Sequence, residues 1–529
     1  MTMDMSTRAT PRAGAREWCG LAVLALPTLL VSMDISVLHL AVPAITADLR
    51  ADATQMLWII DIYGFMIAGF LVTMGTFGDR IGRRRLLMLG GAAFAAASVL
   101  AAFSTTPELL IASRALLGIA GATLMPSTLS LIVNMFGDDR QRGVAIAVWV
   151  AMFSLGIALG PVIGGALLEL FWWGSVFLLA VPIMIVLLAT GPVLLPEHRD
   201  PDAGRLDLVS VGLSLAAILP VIYGLKSLAS GAPVATSVAA IVVGLVFVVV
   251  FARRQRTLTS PLLDLRLFRN RAFAIATGAL LTSMFIAGGT YLFVTQYLQL
   301  VAGQSPMQAG LWLLPAAGGL IITSMLAPAA AARFRPEYVV ASGLAVSAIG
   351  HVMLATVDAT DGLNMLVVGF LLVYAGGGPV IALGTDLIVG SAPPEQAGSA
   401  SAISETATEL GMALGVAALG SLGTVVYRGL AVTPAEAPDG IATAVRDTLS
   451  SAAAAVQDLP ADVVAAVLDP NRVAFTTGLN VIGAVSAVLT VALGVVMVLG
   501  NHRAAGPEPG VSEPVMSESV ASGPGRAEQ

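Results

Sequence analysis

The stretch Gly75–Arg85, G-T-F-G-D-R-I-G-R-R-R, decides the fold. It follows an apolar run from Met56 to Phe77 and precedes another from Leu86 to Phe103, each near the length that crosses a bilayer as a helix. Four arginines and one aspartate therefore stand between two membrane-length helices. A charge at bilayer depth costs about 2.5 to 3.5 kcal/mol on insertion scales, so the stretch predicts a turn outside the hydrocarbon. Its arginine excess puts that turn on the cytoplasmic side. Gly75 and Gly82 permit a tight turn with close helix approach. Asp79, Arg80, Arg83 and Arg84 can form a charge cluster at that turn. Arg83 to Arg85 alone read equally well as a positive-inside anchor; Gly75, Asp79, Arg80 and Gly82 at this spacing ask for more.

Outward from this turn the chain keeps the same character. Of 529 residues, 57% are hydrophobic and 11% charged, with a mean hydropathy of +0.88. Soluble domains carry about 25% charged residues, so the composition points to an all-α polytopic membrane protein. Apolar runs predict fourteen transmembrane helices at 19–44, 56–77, 86–104, 108–133, 143–167, 174–195, 207–227, 234–252, 273–298, 308–330, 338–357, 363–388, 399–427 and 473–499, with both termini cytoplasmic. Of the 27 Lys and Arg, only Arg50, Lys226, Arg428, Arg446 and Arg472 fall outside, and Arg114 falls within a span. The rest lie inside, as the positive-inside rule requires. Arg8, Arg12 and Arg16 before the first run look like a signal peptide. That run is too long, and a span of opposite orientation follows it, so an uncleaved first helix is expected.

The organisation read from these spans is a cytoplasmic tail (1–18), a six-helix half (19–195), an inserted two-helix segment with a basic linker loop (196–272), a second six-helix half (273–500) with an outer loop at 429–472, and a disordered cytoplasmic tail (501–529) rich in Pro, Gly, Ser and Glu. Leu116–Pro126 and Leu371–Pro379 each join an apolar run to glycines and a proline, a weak internal repeat of the kind two facing halves produce. Arg253–Arg271, the most basic segment, is expected along the inner membrane surface. In the outer loop, Ile441, Val445, Leu449, Ala453 and Val456 ahead of Pro460 suggest a short helical hairpin, with a flexible linker as the alternative.

Gly156–Gly165, G-I-A-L-G-P-V-I-G-G, lies in the fifth helix. Gly156, Gly160 and Gly164, four apart, with Gly165, clear side chains so that backbones approach, and Pro161 interrupts the hydrogen-bond ladder. Ionisable residues also stand where the bilayer should exclude them. Asp34 lies roughly 21 Å into a ~30 Å core, counted at 1.5 Å per residue. Asp61 lies just below the outer surface of the neighbouring helix, so the two carboxylates can share a cavity. Glu405 and Glu409 are one turn apart on one face of the thirteenth helix, and Arg114 is in the outer half of the fourth. Each can simply pair within the bundle, Arg114 with one of the acids, but intramembrane acids are more often functional. Trp58, Tyr63, Trp149, Tyr291 and Trp312 are candidates for cation–π contact along a path, with lipid-facing packing as the alternative for each. His39 and His351 have no second ligand at metal spacing, Cys19 is the single cysteine, and no phosphate-binding loop occurs. No metal site, cofactor or ATP drive is therefore expected.

G-x-x-x-D-R-x-G-R-R between the second and third helices resembles the signature loop of the major facilitator superfamily, which implies that the charge cluster of Asp79 and the arginines breaks and reforms as two halves of a bundle rock, and G-x-x-x-G-P-x-x-G-G in the fifth resembles its antiporter motif. From about Trp18 to Gly500, M-D-I-S-V-L, L-W-I-I-D-I-Y, R-A-L-L-G-I-A-G-A-T-L-M-P, W-G-S-V-F-L-L-A-V-P-I, P-L-L-D-L-R-L-F and E-T-A-T-E-L-G resemble the fourteen-helix drug:proton antiporters, such as the quaternary-ammonium, methyl-viologen and mycobacterial dye-efflux exporters. The resemblance implies that Asp34, Asp61, Glu405 and Glu409 couple protons and recognise cations, with Arg114 assisting proton transfer. Where some relatives carry an Asp and a second Glu, this chain has Leu320 and Ser404, which disfavours strongly dicationic substrates. The expected function is proton-driven efflux of amphipathic, mostly cationic drugs, dyes or antiseptics from the cytoplasm or inner leaflet. The alternative is export of one endogenous metabolite, such as a self-made antibiotic or siderophore. The expected partners are protons, small lipophilic cations and the bilayer, with no nucleic acid. A monomer in the plasma membrane, driven by the proton gradient and without enzymatic activity, completes the expectation.

Overall fold

The computed structural model describes residues 13–197, 207–229, 233–258, 261, 265–391, 397–433 and 439–502; the tail 503–529 lies outside the described residues. The first group of helices is α1 (Ala15–Leu49), α2 (Ala53–Ile81), α3 (Arg83–Ala102), α4 (Pro107–Met135), α5 (Asp139–Leu170), and α6 (Ser175–Leu178) with α7 (Ala180–Leu194). A pair follows, α8 (Leu208–Ala229) and α9 (Val234–Thr257). The last group is α10 (Arg271–Gln296), α11 (Pro306–Ala331), α12 (Pro336–Leu354), α13 (Leu363–Gly390), α14 (Ala397–Leu430), the short α15 (Asp439–Asp447) and α16 (Leu449–Val456), and α17 (Ala461–His502). Among the described residues fourteen segments are long and apolar enough to cross a membrane, the number the apolar runs predict; α6 and α7 together make one crossing.

Two boundaries differ from the sequence reading. The stretch 75–85 is no extended turn: α2 continues to Ile81 and α3 begins at Arg83, so Gly82 alone, at φ +113°, reverses the chain. That backbone region is open to glycine and strained for other residues. α17 starts at Ala461, twelve residues before the predicted span, and runs through Pro470 without ending. Short polar residues set other starts: the Asp52 side chain accepts Gln55 N at 2.7 Å ahead of α2, and Ser305 accepts Gln308 N at 3.2 Å ahead of α11.

Within the first group α1 packs on α5, and α4 on both α2 and α3; within the last, α10 packs on α14, and α13 on both α11 and α12. The groups meet along two seams, α5 with α11 and α2 with α14. Three hydrogen bonds joining them lie toward the face away from Arg83–Arg85. Tyr291 Oη reaches Ser36 O at 3.5 Å, Gln299 Nε2 donates to Leu40 O at 3.1 Å, and Ala53 N donates to Asp447 Oδ2 at 3.0 Å. Gln299 sits in a π-helical turn, Tyr297–Val301, that continues α10. Such turns re-aim side chains, here toward α1. Asp447 also takes Arg428 Nη2 at 2.7 Å, so the α15–α16 hairpin, with Val445, Leu449, Ala452 and Val456 buried, ties α14 to the start of α2.

α8 and α9 are stapled at the arginine-rich face. Asp207 accepts Arg254 Nη2 at 2.8 Å, and Ser210 Oγ accepts Gln255 Nε2 at 2.7 Å and Arg254 Nε at 3.2 Å. Partial burial pushes the Asp207 carboxyl up, but hydrogen bonds from Arg254 and Ser210 and the guanidinium charge outweigh it and hold the pKa below the ordinary value. The folded chain therefore takes up this proton less readily than the unfolded one, so the stabilisation is present at neutral pH and lost as pH falls below the ordinary Asp range. Thermal unfolding of detergent-solubilised protein should show Asp207→Asn less stable than wild type at pH 7, with the gap closing as the pH is lowered through that range.

Candidate functional site

The arginines around Gly82 are held by an acid that lies far away in sequence. Glu197, after α7, accepts Arg84 N at 3.1 Å and lies 3.6 Å from Arg84 Nε and 3.8 Å from Arg85 Nε. A carboxylate at a helix start satisfies free N–H groups and offsets the unfavourable placement of arginines there. A side chain at Gly82 would collide with that carboxylate. Arg83 is buried, its Nη1 3.5 Å from Pro126 O, whereas Arg80 is exposed. The Asp79 side chain lies outside the described residues, and Gly75 falls inside α2 rather than in a turn.

The glycines of α5 serve two helices at once. Gly156, Gly160 and Gly164 press against α1 at Leu29–Ser32, Met33–Ser36 and Val37, and a methyl group built on Gly164 would lie 2.7 Å from Val37 Cγ1. One position round, Gly165 and Pro161 face the other group. A methyl on Gly165 would lie 2.6 Å from Pro306 O, and one on Gly310 would lie 2.7 Å from the Pro161 carbonyl carbon. The last group has a similar contact that the sequence reading missed: Gly411 and Gly415 of α14 meet the Leu281 and Phe285 backbones of α10. The G-x-x-x-G spacing two residues after Glu409 was the available signal.

α1, so held, places Asp34 against α4. Arg114 Nη1 lies 2.5 Å from Asp34 Oδ2, with the two side chains 2% and 13% exposed. Arg114 Nε donates to Ile59 O at 3.2 Å, and its guanidinium lies 4.4 Å from the centre of the Tyr63 ring and 5.8 Å from that of Phe177. A charge pair removed from water this fully survives only with such saturation of its donors. Asp34 also lines a narrow pocket with Leu30, Val37, Phe94, Phe177 and Ala180, between α1, α3 and the α6–α7 crossing.

The other acids lie on α2 and α14. Asp61 shares the α2 face of Trp58 and Phe65, which pack on α8 and α14, and does not line the Asp34 pocket. Opposite faces of one helix direct Tyr63 to Arg114 and Asp61 toward the α8–α14 side. Glu405 and Glu409 are half-buried on α14 and make no ion pair or hydrogen bond with a described residue. Gly64 of α2 lies against the Glu409 backbone, and Asp34, Arg114 and Glu409 are all close enough to act electrostatically on the Tyr63 phenol.

The aromatic candidates separate in the same way. Tyr291 is buried edge-on to His39 at 5.0 Å and beside Phe370 and Tyr374 at 6.1 and 6.3 Å, an aromatic group that joins α1, α10 and α13. Phe370 and Tyr374 were missed because a span of mixed apolar residues gives no sign of which face is inward. Trp149 donates to Thr128 Oγ1 at 3.1 Å inside the first group, Trp58 packs in the α2–α8–α14 seam, and Trp312 is 37% exposed.

The family model of the Major Facilitator Superfamily matches residues 24–416. The chain belongs to that superfamily. Among similar proteins, the multidrug efflux pump LfrA of Mycolicibacterium smegmatis is 43% identical over 497 residues, 94% of this chain and 99% of its own. The methyl viologen resistance protein SmvA of Salmonella typhimurium is 35% identical over 462 residues, 87% of this chain and 93% of its own. The crystal structure of a bacterial homolog to the human lysosomal transporter Spinster matches the fold with a TM-score of 0.62 at 16% identity, covering 92% of this chain and 99% of that one. This superfamily member is a multi-pass protein of the cell membrane, and its relatives are transporters rather than enzymes.

Because α5 has no spare volume against α1, Gly156→Leu should displace the helix that carries Asp34. Overpacking of this kind costs about 1–3 kcal/mol or more. Size-exclusion thermostability should fall clearly and drug-resistance activity should be lost. Gly212→Ala on α8, where an added methyl meets nothing within 4 Å, should leave both unchanged.

Proposed function

We propose that the chain is a proton-driven efflux antiporter that exports amphipathic, mostly cationic compounds, with its arginine-rich face in the cytoplasm. The observation that carries the reading is the buried Asp34–Arg114 pair. A proton on Asp34 removes the charge that holds Arg114, and the Tyr63 ring and Ile59 carbonyl then become its remaining partners. Breaking one side of a buried pair costs about 3–5 kcal/mol, enough to shift a balance between two packings of the bundle.

Glu405 and Glu409 supply negative charge with no ion pair to an arginine among the described residues, as a cation-recognition site requires, and Tyr63 lies in the field of both Glu409 and the Asp34–Arg114 pair. A cation at α14 and a proton at α1 thus act on the same α2 side chain. Proton and cargo compete without touching. The names of LfrA and SmvA, a multidrug efflux pump and a methyl viologen resistance protein, support this class of cargo. Neither an ATP site nor a bound cofactor is needed, since one proton exchanged for one monocation is electroneutral and the pH gradient alone drives it; each further proton adds about 2.3 kcal/mol per 100 mV. Leu320 and Ser404 in place of acids favour monocations. The unit acts as a monomer.

In proteoliposomes under an imposed pH gradient, wild type should exchange protons for monocationic dyes, and Asp34→Asn should lose at least about tenfold in rate while inserting normally. Wild-type exchange by that variant contradicts the assignment. A folded wild type that moves none of a panel of lipophilic cations points instead to a single-metabolite exporter.

A further inference from the structure

Two of the hydrogen bonds that close the helix groups on each other flank a single side chain. Tyr291 Oη of α10 reaches Ser36 O, Gln299 Nε2 donates to Leu40 O, and between these two carbonyls of α1 stands His39. Its imidazole is 3% exposed and edge-on to the Tyr291 ring, with Phe370 and Tyr374 of α13 beside that ring. His39 Nδ1 has no hydrogen-bond partner among the described residues. His351, also within a span, is placed differently: it meets Thr490 Oγ1 at 3.5 Å and so joins α12 to α17 inside one group.

The charge near His39 is one-sided. Arg114 of α4 is close enough to act on it electrostatically. Asp34, which neutralises Arg114, lies five residues earlier on α1, about 7.5 Å nearer the arginine-rich face at 1.5 Å per residue. Tyr291 of α10 and, beyond it, Tyr374 of α13 are the titratable groups that face the imidazole from the second group. Asp61 of α2 turns toward α8 and α14, and Asp48 at the outer end of α1 accepts Trp173 Nε1. Of the other helices packed on α1, α5 carries charges only near its two ends, and α6, α7, α11 and α16 carry none. An imidazolium in the closed seam would be a second buried cation beside Arg114, presenting its Nδ1–H to no acceptor. The closed seam therefore fits a neutral ring. When α1 and α10 part, the same ring meets water from the outer side, where an imidazole takes up a proton around pH 6.5.

We infer that His39 is the first acceptor of the proton that enters from the outer side, and that it passes this proton to Asp34. In the parted seam the imidazole takes one proton from water. It then gives up that N–H proton through a water molecule of the open seam, the Asp34 carboxylate gains an O–H, and the ring is neutral again. The outer seam recloses only after the proton has moved on to the acid that holds Arg114. Lowering the outer pH favours the parted arrangement, since that arrangement alone accommodates the imidazolium. The relay rests on the efflux reading above.

The test uses the full chain in oriented proteoliposomes, with tetraphenylphosphonium as cargo and the pH on the arginine-rich side held fixed. Net exchange of proton for cation is followed while the pH on the other side is varied from about 5 to 8. Cation-for-cation exchange, which moves no net proton, is measured in parallel at equal pH. Wild type should show an inflection of the net rate in the imidazole range. His39→Gln keeps a polar side chain of similar size but does not titrate. It should lose the inflection and run at least about tenfold slower in net exchange, with cation-for-cation exchange within about twofold of wild type. His39→Asn carries the test if His39→Gln fails to insert. A wild-type rate and inflection in either folded variant overturns the relay and leaves the efflux reading standing. Equal loss of both kinds of exchange marks a packing role and overturns it as well. Wild type that moves no cation removes the reading on which the relay rests.

Discussion

A guanidinium and a carboxylate pressed together at 2.5 Å, almost out of reach of water, constrain this whole molecule. In hydrocarbon such a pair tolerates little error in position, because each partner left alone would be an uncompensated charge. The rest of the first helix group holds the two backbones to that geometry. Three glycines of α5 set the distance to α1, which carries Asp34, and Gly118 of α4 lies against Tyr63 O and Met66 of α2. The Tyr63 ring then closes over the arginine from α2. Changing the proton count at Asp34 alters a contact on which four helices have been fitted.

The same economy extends to the second group through α2. Successive residues of this helix face three neighbours: Tyr63 the Arg114 cluster, Gly64 the Glu409 backbone, and Phe65 the α8–α14 seam. Tight glycine contacts between α10 and α14 hold the Glu405–Glu409 helix as α5 holds α1. Away from the arginine-rich face, Tyr291 and Gln299 bridge the groups by hydrogen bonds that separation of α1 from α10 would have to break, and Asp447 by one that separation of α2 from α15 would break. The acids, the seams and the bridging bonds thus belong to one mechanical system.

Fourteen crossings and their order were legible because the bilayer imposes a length, a near absence of charge and an arginine bias that any chain must display. The intramembrane acids stood out for the same reason. Partner choice did not: Asp34 could be assigned to Arg114 or to a cavity with Asp61, and only the packing of α1 on α5 and α4 decides between them. Glu197 escaped notice because its arginines lie more than a hundred residues earlier, and because a turn reduced to Gly82 alone leaves no local sign of a distant cap. Aromatic residues were the least legible, since in lipid both the inward and outward faces of a helix are apolar. α17 begins at Ala461, ahead of the span expected from 473, because the short apolar patch before Pro470 is too short to read as a crossing by itself, and the helix accommodates that proline in its interior.

The most direct measurement of the competition between proton and cargo is proton release on binding. Purified full-length protein in weakly buffered detergent solution would be mixed with tetraphenylphosphonium while a pH indicator records the solution. The account predicts protons released on binding, fewer as the starting pH is raised, and a smaller release when Asp34 or Glu409 has been made amide. Saturable binding with no proton release at any pH would contradict it.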